Sequence, residues 1–290
     1  MIEFLKRALR ALLLPIFTEA NGPLTQSQLS SEYWAIRKDV AFRIPDSPAN
    51  FGFSVYSQCD EDGILQNIIS RLAVLEDLKY FLEIGAGDGV ENNTALLVSN
   101  LSWSGIWVDP SNELAIFSRK LGFHPRLRII TEKVLPISDL GEIKSAFVEL
   151  GAITKNNKFC IGVLSIDIDS YDLDLLEFLL THIDPEILVL EYNASFAPPL
   201  RSRVPFGESN TWEGDNFYGA SLSEQSAVLS LNYSLVATST TGVNSFWVKN
   251  IHSNSFSKYS LEDLYSPPRH HLARLSWGHP GNSLKYLKLK

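Results

Sequence analysis

Cysteine is scarce in this chain of 290 residues: Cys59 and Cys160 are the only two, and they stand far apart. They make neither a metal-ligand spacing nor a disulfide framework, so two core thiols in a reducing compartment are expected. Long apolar runs are lacking too. The run from Ala11 to Phe17 is broken by Pro15, which excludes a bilayer-spanning helix there. Lys6, Arg7 and Arg10 precede that run, but Glu3 and the missing small-residue cleavage pattern argue against an export signal, so a cytoplasmic protein with a retained N-terminus is expected. Positive charge is in deficit. The 25 Lys and Arg face 33 Asp and Glu, a net charge of −8, which disfavours a nucleic-acid partner held by phosphate attraction. What the chain does have is 45% hydrophobic residues and 17 Gly, enough for a sizeable core and incompatible with disordered or fibrous classes.

The charge is unevenly spread. Residues 1–17 hold three basic side chains against one acid, and residues 269–290 hold five with no acid, so the body between them is strongly acidic. In the first segment Glu3, Lys6, Arg7 and Arg10 share one helical face and Ile2, Leu5, Leu9, Leu12 and Leu13 fall on the remainder. Such an amphipathic helix packs on its own domain or a partner, or lies on the inner face of a membrane as a peripheral contact. Prolines and Asn21-Gly22 between residues 18 and 55 indicate an irregular, extended segment. Three regions follow: an N-terminal segment over 1–55, a domain over 56–250 and a basic tail over 251–290.

Within 56–250 strand and helix patterns alternate. Asp60-Glu61-Asp62 opens a helix whose dipole these acids complement. Strands are expected at 79–84, 105–108, 127–131, 160–168 and 187–191, with helices at 91–100, 111–121, 139–150 and 173–181 between them. This predicts an α/β, doubly wound, Rossmann-like parallel sheet covered on both faces. After a helix at 221–231, strands at 233–237 and 245–249 are joined by too few residues for a parallel crossover, so an antiparallel final hairpin is expected.

The turn Glu83-Ile84-Gly85-Ala86-Gly87-Asp88-Gly89 lies between an expected strand and helix. Its glycines allow a ligand to approach the backbone closely, as at the switch point of an open α/β sheet. A dinucleotide fingerprint would need a third glycine at Val90, so an NAD-dependent oxidoreductase is disfavoured. An acid in this turn suits a cationic amino-acid ligand better than a pyrophosphate. Asp109, at the end of the next strand, is placed either to accept from the two hydroxyls of a ribose or to cap the following helix.

Together the Glu83–Gly89 turn, Asp109, the order of elements and the terminal hairpin resemble the class I S-adenosylmethionine-dependent methyltransferases over residues 57–250. The stretches Tyr56-Ser57-Gln58-Cys59-Asp60-Glu61-Asp62-Gly63-Ile64 and Phe217-Tyr218-Gly219-Ala220-Ser221-Leu222 are similar to the FkbM-related branch, which acts in bacterial glycan and natural-product pathways. The resemblance implies that Glu83, Gly85 and Gly87 line the methionine end of the cofactor, Asp109 its ribose and Glu132 its adenine.

A third constellation is Asp167 and Asp169 on one strand with Glu191 and Asn193 on the next. Period-two alternation points each pair one way, converging four oxygen-bearing side chains at one sheet edge. Two readings stand. In one, Asp169, Glu191 and Asn193 hold Mg²⁺ or another divalent cation, similar to the acid, acid, amide site of catechol-type O-methyltransferases. In the other, Asp167 seats the cofactor, Asp169 caps a helix and Glu191 pairs with a loop arginine. Asp169 and Glu191 are the candidate catalytic pair for removing a hydroxyl proton. The long loop over 194–219 is the expected acceptor pocket: Trp212 and Tyr218 either stack on a sugar or pack the loop, and Arg201 and Arg203 either hold an acidic group or balance local acids. The expected function is O-methylation of a saccharide or glycan precursor. The competing readings are methylation of a small non-sugar metabolite, N-methylation, and a non-catalytic binding protein on the same fold.

Overall fold

The computed structural model describes residues 27–207, 212–273 and 282–289. The amphipathic helix expected within residues 1–17 lies outside them. No helix of the described residues is long and apolar enough to cross a membrane.

An eight-stranded sheet forms the centre. Its strands are β1 (Tyr80–Ile84), β2 (Ser104–Val108), β3 (Leu127–Ile130), β4 (Thr154–Lys155), β5 (Lys158–Ile166), β6 (Ile183–Glu191), β7 (Tyr233–Thr238) and β8 (Asn244–Lys249). The spatial order is β3-β2-β1-β5-β6-β8-β7, with β4 paired to β5 off that path. Neighbours from β3 through β6 run parallel, and β8 lies antiparallel between β6 and β7. Helices α2 (Glu61–Arg71), α3 (Ala95–Asn100), α4 (Asn112–Leu121), α5 (Gly141–Leu150), α6 (Asp172–Leu179) and α7 (Leu222–Leu229) flank it, with α1 over 27–43 before them and α8 (Leu261–Leu264) and α9 (Ser283–Lys288) after.

Alternation along the strands feeds two cores. Phe81, Trp107, Val163 and Ile187 face the layer that holds Ile64, Leu65 and Ile68 of α2 and Leu97 of α3. Leu82, Ile106, Leu164 and Leu188 face Phe147 of α5 and Leu175, Leu176 and Leu179 of α6. A strand buried on both sides reads as a continuous apolar run, which is why β1, β5 and β6 are legible from sequence.

The structure departs from the expected elements at several places. Residues 27–43 form a helix where an irregular segment is expected. The prolines that suggest irregularity, Pro23, Pro45 and Pro48, flank this stretch and leave its interior free of breakers. Strand β6 starts at Ile183 rather than 187. It tolerates Pro185 because there it pairs only with Ile161 of β5, and β8 joins its other side from Ile187 onward. The short ribbon β4–β5 turns through Asn156 and Asn157, both at positive φ (50° and 63°), the conformation that a tight hairpin requires. The described part of the C-terminal tail packs on the domain. Arg269 donates to the Thr240 carbonyl at 2.7 Å, and Ser283 donates to the Gly89 carbonyl at 2.9 Å.

Candidate active site

The turn after β1 is shaped by its neighbours. Gly85 and Ala86 donate their N–H groups to the Val108 carbonyl at 2.9 and 3.2 Å, and Asp167 donates its own to the Ile84 carbonyl at 3.0 Å. Gly85 sits at φ 91°, and a Cβ there would overlap the Asp167 carbonyl oxygen. Gly87, at φ 56°, faces open space. Asp109 ties the turn to the end of β2: its carboxylate accepts from Gly87 N–H at 3.0 Å and Ser111 N–H at 2.8 Å, while Ser111 Oγ donates to the Gly87 carbonyl at 2.7 Å. Ser111 also caps α4, so the capping role open to Asp109 is taken by its neighbour.

A cleft of about 430 Å³ opens at this carboxyl edge, lined among others by Gly85, Gly87, Asp109, Glu132, Asp167 and Asp169. Its volume lies within the range of small-molecule sites. Five of the six residues expected around a cofactor therefore meet in one place.

The sixth does not. Glu83 does not line the cleft; it points to the opposite face of β1 and is 3% exposed. Its carboxylate accepts from Asn93 N–H at 2.8 Å, Thr94 N–H at 3.2 Å and Thr94 Oγ1 at 2.5 Å, and Trp107 Nε1 donates to the same hydroxyl at 2.9 Å. These bonds explain why α3 begins at Ala95 rather than near Glu91: the preceding residues turn to present their N–H groups to Glu83. Burial pushes the Glu83 carboxyl up to about 7, against the pull of these donors.

Next to the cleft, Asp167, Asp169 and Glu191 each offer an oxygen within 4.8 Å of the other two. Burial raises all three carboxyls, and mutual repulsion raises Asp167 and Glu191 further. A bond between Asp169 and Glu191 pulls Asp169 back in part. Asp169 occupies the left-handed region at φ 55°, a conformation that a non-glycine residue adopts at some cost. The loop that carries it is fixed by Asp172, whose two oxygens accept from Ile168 N–H at 2.8 Å and Ser170 N–H at 3.0 Å. Asp172, at the head of α6, holds this preceding loop, and no side chain caps α6, whose N-cap residue is Tyr171 rather than Asp169.

Asn193, just after β6, is bonded to the loop that follows it. Its amide nitrogen donates to the carbonyls of Asn216 and Tyr218 at 2.8 and 2.9 Å, and its oxygen accepts from Ser195 N–H at 3.1 Å. It clamps the two ends of the 194–219 loop together. Arg201 pairs with Glu224 at 2.6 Å, and Arg203 pairs with Asp174 and Glu177 one turn apart on α6. Both arginines balance local acids. Trp212 and Tyr218 meet edge to face with centroids 6.1 Å apart. Burial, then the charges of Glu191 and Asp169, push the Tyr218 hydroxyl up to about 12.

Sequence reasoning missed the buried partners. Asp60, Glu61 and Asp62 are all at most 1% exposed. Asp60 accepts from Thr240, and Asp62 accepts from the N–H groups of Val55, Tyr56 and Ser57 at 2.7, 2.7 and 3.0 Å. Three acids opening a helix read as a solvated first turn; the long-range fold, absent from local pattern, encloses them. No protein-family model matches this chain, and no curated protein matches it either.

Proposed function

We propose that the chain is an S-adenosylmethionine-dependent O-methyltransferase that acts on a hydroxyl of a saccharide or glycan precursor. The observation that carries this reading is the position of Glu83. In a dinucleotide site the helix after the first strand offers free N–H groups to a pyrophosphate. Here the N–H groups of Asn93 and Thr94, at the head of α3, are already bonded to a buried carboxylate. The cleft at the carboxyl edge, which neither of these residues lines, holds Asp109, Glu132, Asp167 and Asp169, which favour a cationic ligand over a polyphosphate. The strand order, with an antiparallel strand inserted next to the last one, supports the methyltransferase type of sheet.

The residues fit the cofactor. A Cβ at Gly87 would project into open space beside the cleft, so its absence lets a ligand reach the backbone. Asp109 would hold the ribose, Glu132 the adenine, and Gly85, Gly87 and Asp167 the methionine end. When bound, S-adenosylmethionine supplies an electrophilic methyl group on a positive sulfur. Asp169 takes the proton of the acceptor hydroxyl, and Glu191, with an oxygen within 4.8 Å, stands beside it. Trp212, exposed and braced edge to face by the buried Tyr218, stacks on the apolar face of a sugar, and the loop holds it in line for displacement.

The test is methyl transfer from labelled S-adenosylmethionine to a panel of neutral saccharides, acidic saccharides and small non-sugar alcohols. Transfer to a saccharide hydroxyl that Asp169→Ala abolishes, with cofactor affinity retained, is expected. Transfer to amines or non-sugar alcohols alone, or wild-type turnover by Asp169→Ala, would overturn the assignment.

A further inference from the structure

We infer that Ser283, on the C-terminal helix α9, is a positioning residue for the glycine turn of the cleft. Its hydroxyl holds the Gly89 carbonyl from behind and so keeps Gly87 in the shape that a ligand in the cleft meets. The bond is 2.9 Å long and joins residues 194 apart in the chain. Ser283 is fully buried, and Gly89 is buried beside it. The turn has little stiffness of its own, because Gly85, Gly87 and Gly89 stand at φ 91°, 56° and 77°. Each polar group fixed in advance therefore spares a ligand part of the ordering that it would otherwise have to impose.

The anchors of Gly85–Gly89 can be followed group by group. The N–H groups of Gly85 and Ala86 are held by the Val108 carbonyl, and Gly87 is held by Asp109 and Ser111. Gly89 N–H donates to the Ala86 carbonyl at 3.0 Å and closes the turn, and Asn92 Nδ2 donates to the same carbonyl at 3.0 Å. All of these partners lie between β1 and the start of α4. Among the described residues, the Gly89 carbonyl alone is anchored from the far end of the chain. A Cβ on Gly89 would meet the Phe117 ring at 2.9 Å, so Gly89 rests against α4 on one side while Ser283 holds its carbonyl.

Helix α9 is itself well seated. Leu287 lies in the same core as Phe117 of α4 and Leu97 of α3. Tyr286 meets Tyr56 edge to face with centroids 6.2 Å apart, and Tyr56 donates to Asn100 Oδ1, at the end of α3, at 3.0 Å. Asn282 accepts from Lys285 N–H at 3.0 Å and sets the first turn of the helix that presents Ser283. Ser283 does not line the cleft; it lines a separate cavity of about 290 Å³ with Asp88, Phe117 and Asn282. It acts on a ligand only through the backbone of the turn, as a supporting shell does. That the ligand is an adenosyl amino acid rests on the methyl-transfer reading; the hold of Ser283 on the turn does not.

The experiment compares wild type, Ser283→Ala and Ser283→Thr as full chains, well below the unfolding temperature of all three. Hydrogen–deuterium exchange over residues 85–90 is measured without ligand, and S-adenosylhomocysteine is titrated into the same samples. In Ser283→Ala the N–H groups of Gly87 and Gly89 are expected to exchange about tenfold faster and S-adenosylhomocysteine to bind about tenfold more weakly. Ser283→Thr keeps the hydroxyl and is expected to stay within about threefold of wild type in both. A merely structural role would lower the unfolding temperature of Ser283→Ala and leave its affinity unchanged. That result, unchanged exchange, or equal losses in the two variants overturns the inference. Faster exchange in Ser283→Ala, with no S-adenosylhomocysteine bound even by wild type, keeps the hold on the turn and overturns the methyl-transfer reading instead.

Discussion

Thr94 donates twice to Glu83, through its hydroxyl at 2.5 Å and its N–H at 3.2 Å, and so seals the head of α3 with a buried carboxylate. Glutamine cannot reproduce this pattern. It has one acceptor oxygen for Asn93 N–H and the Thr94 donors, and its amide would face a hydroxyl that already accepts from Trp107. Glu83→Gln is therefore expected to destabilise the fold by about 1–3 kcal/mol, the cost of orphaning a buried donor. Urea unfolding measures this, and an unchanged midpoint would show that the carboxylate is not holding the helix.

Glu83 also makes stability depend on pH. Its folded value of about 7 lies above the ordinary 4.5, so the native state keeps a proton that the unfolded chain releases between those values. The resulting stabilisation is full below the unfolded value and is lost as pH rises through the folded one, on the order of 3 kcal/mol for this group. Burial raises Glu61 in the same direction. Unfolding midpoints are expected to fall between about pH 5 and pH 8, and less steeply in Glu83→Gln. A midpoint that climbs over that interval would contradict the assignment.

The two turn glycines should separate fold from ligand. Gly85→Ala sets a methyl group against the Asp167 carbonyl and is expected to cost more than about 3 kcal/mol, or to prevent folding. Gly87→Ala meets only empty space, so its expected stability cost is about 1–2 kcal/mol for the left-handed backbone. Its larger effect should be a tenfold or greater loss of S-adenosylhomocysteine affinity. Equal stability losses in both variants would place Gly87 in the scaffold rather than the cleft.

Asn193→Ala addresses the loop. Removing the amide that bridges Ser195 to Asn216 and Tyr218 is expected to speed proteolytic cleavage within 194–219 and to raise the acceptor KM. Cleavage and KM equal to wild type would show that Asn193 does not hold the loop.

Much of the fold is written locally. The runs ending at Ile84, Val108, Ile166 and Glu191 read as buried strands because both their faces are covered, and Gly85 and Gly87 mark the turn because the backbone there takes positive φ. The cleft is legible for the same reason: of the residues that line it, Asp109 and Asp167 follow their strands directly and Asp169 comes two residues after Asp167. What stayed hidden depends on partners distant in sequence. Nothing near Glu83 shows that Thr94 and Trp107 will enclose it, and nothing near Arg203 shows that α6 will present Asp174 and Glu177. Asn193 fits a ligand pattern by spacing, and only the return of the chain at Tyr218 reveals that its amide is used. Helix 27–43 was masked by the prolines around it rather than by its own residues.

The central claim is that this cleft takes an adenosyl amino acid and refuses a dinucleotide. Isothermal titration of the full chain with S-adenosylhomocysteine and, in parallel, with NAD⁺ tests it most directly. The account predicts one S-adenosylhomocysteine bound per chain, lost on Asp109→Ala, and no heat with NAD⁺. Saturable binding of NAD⁺ with none of S-adenosylhomocysteine would contradict it.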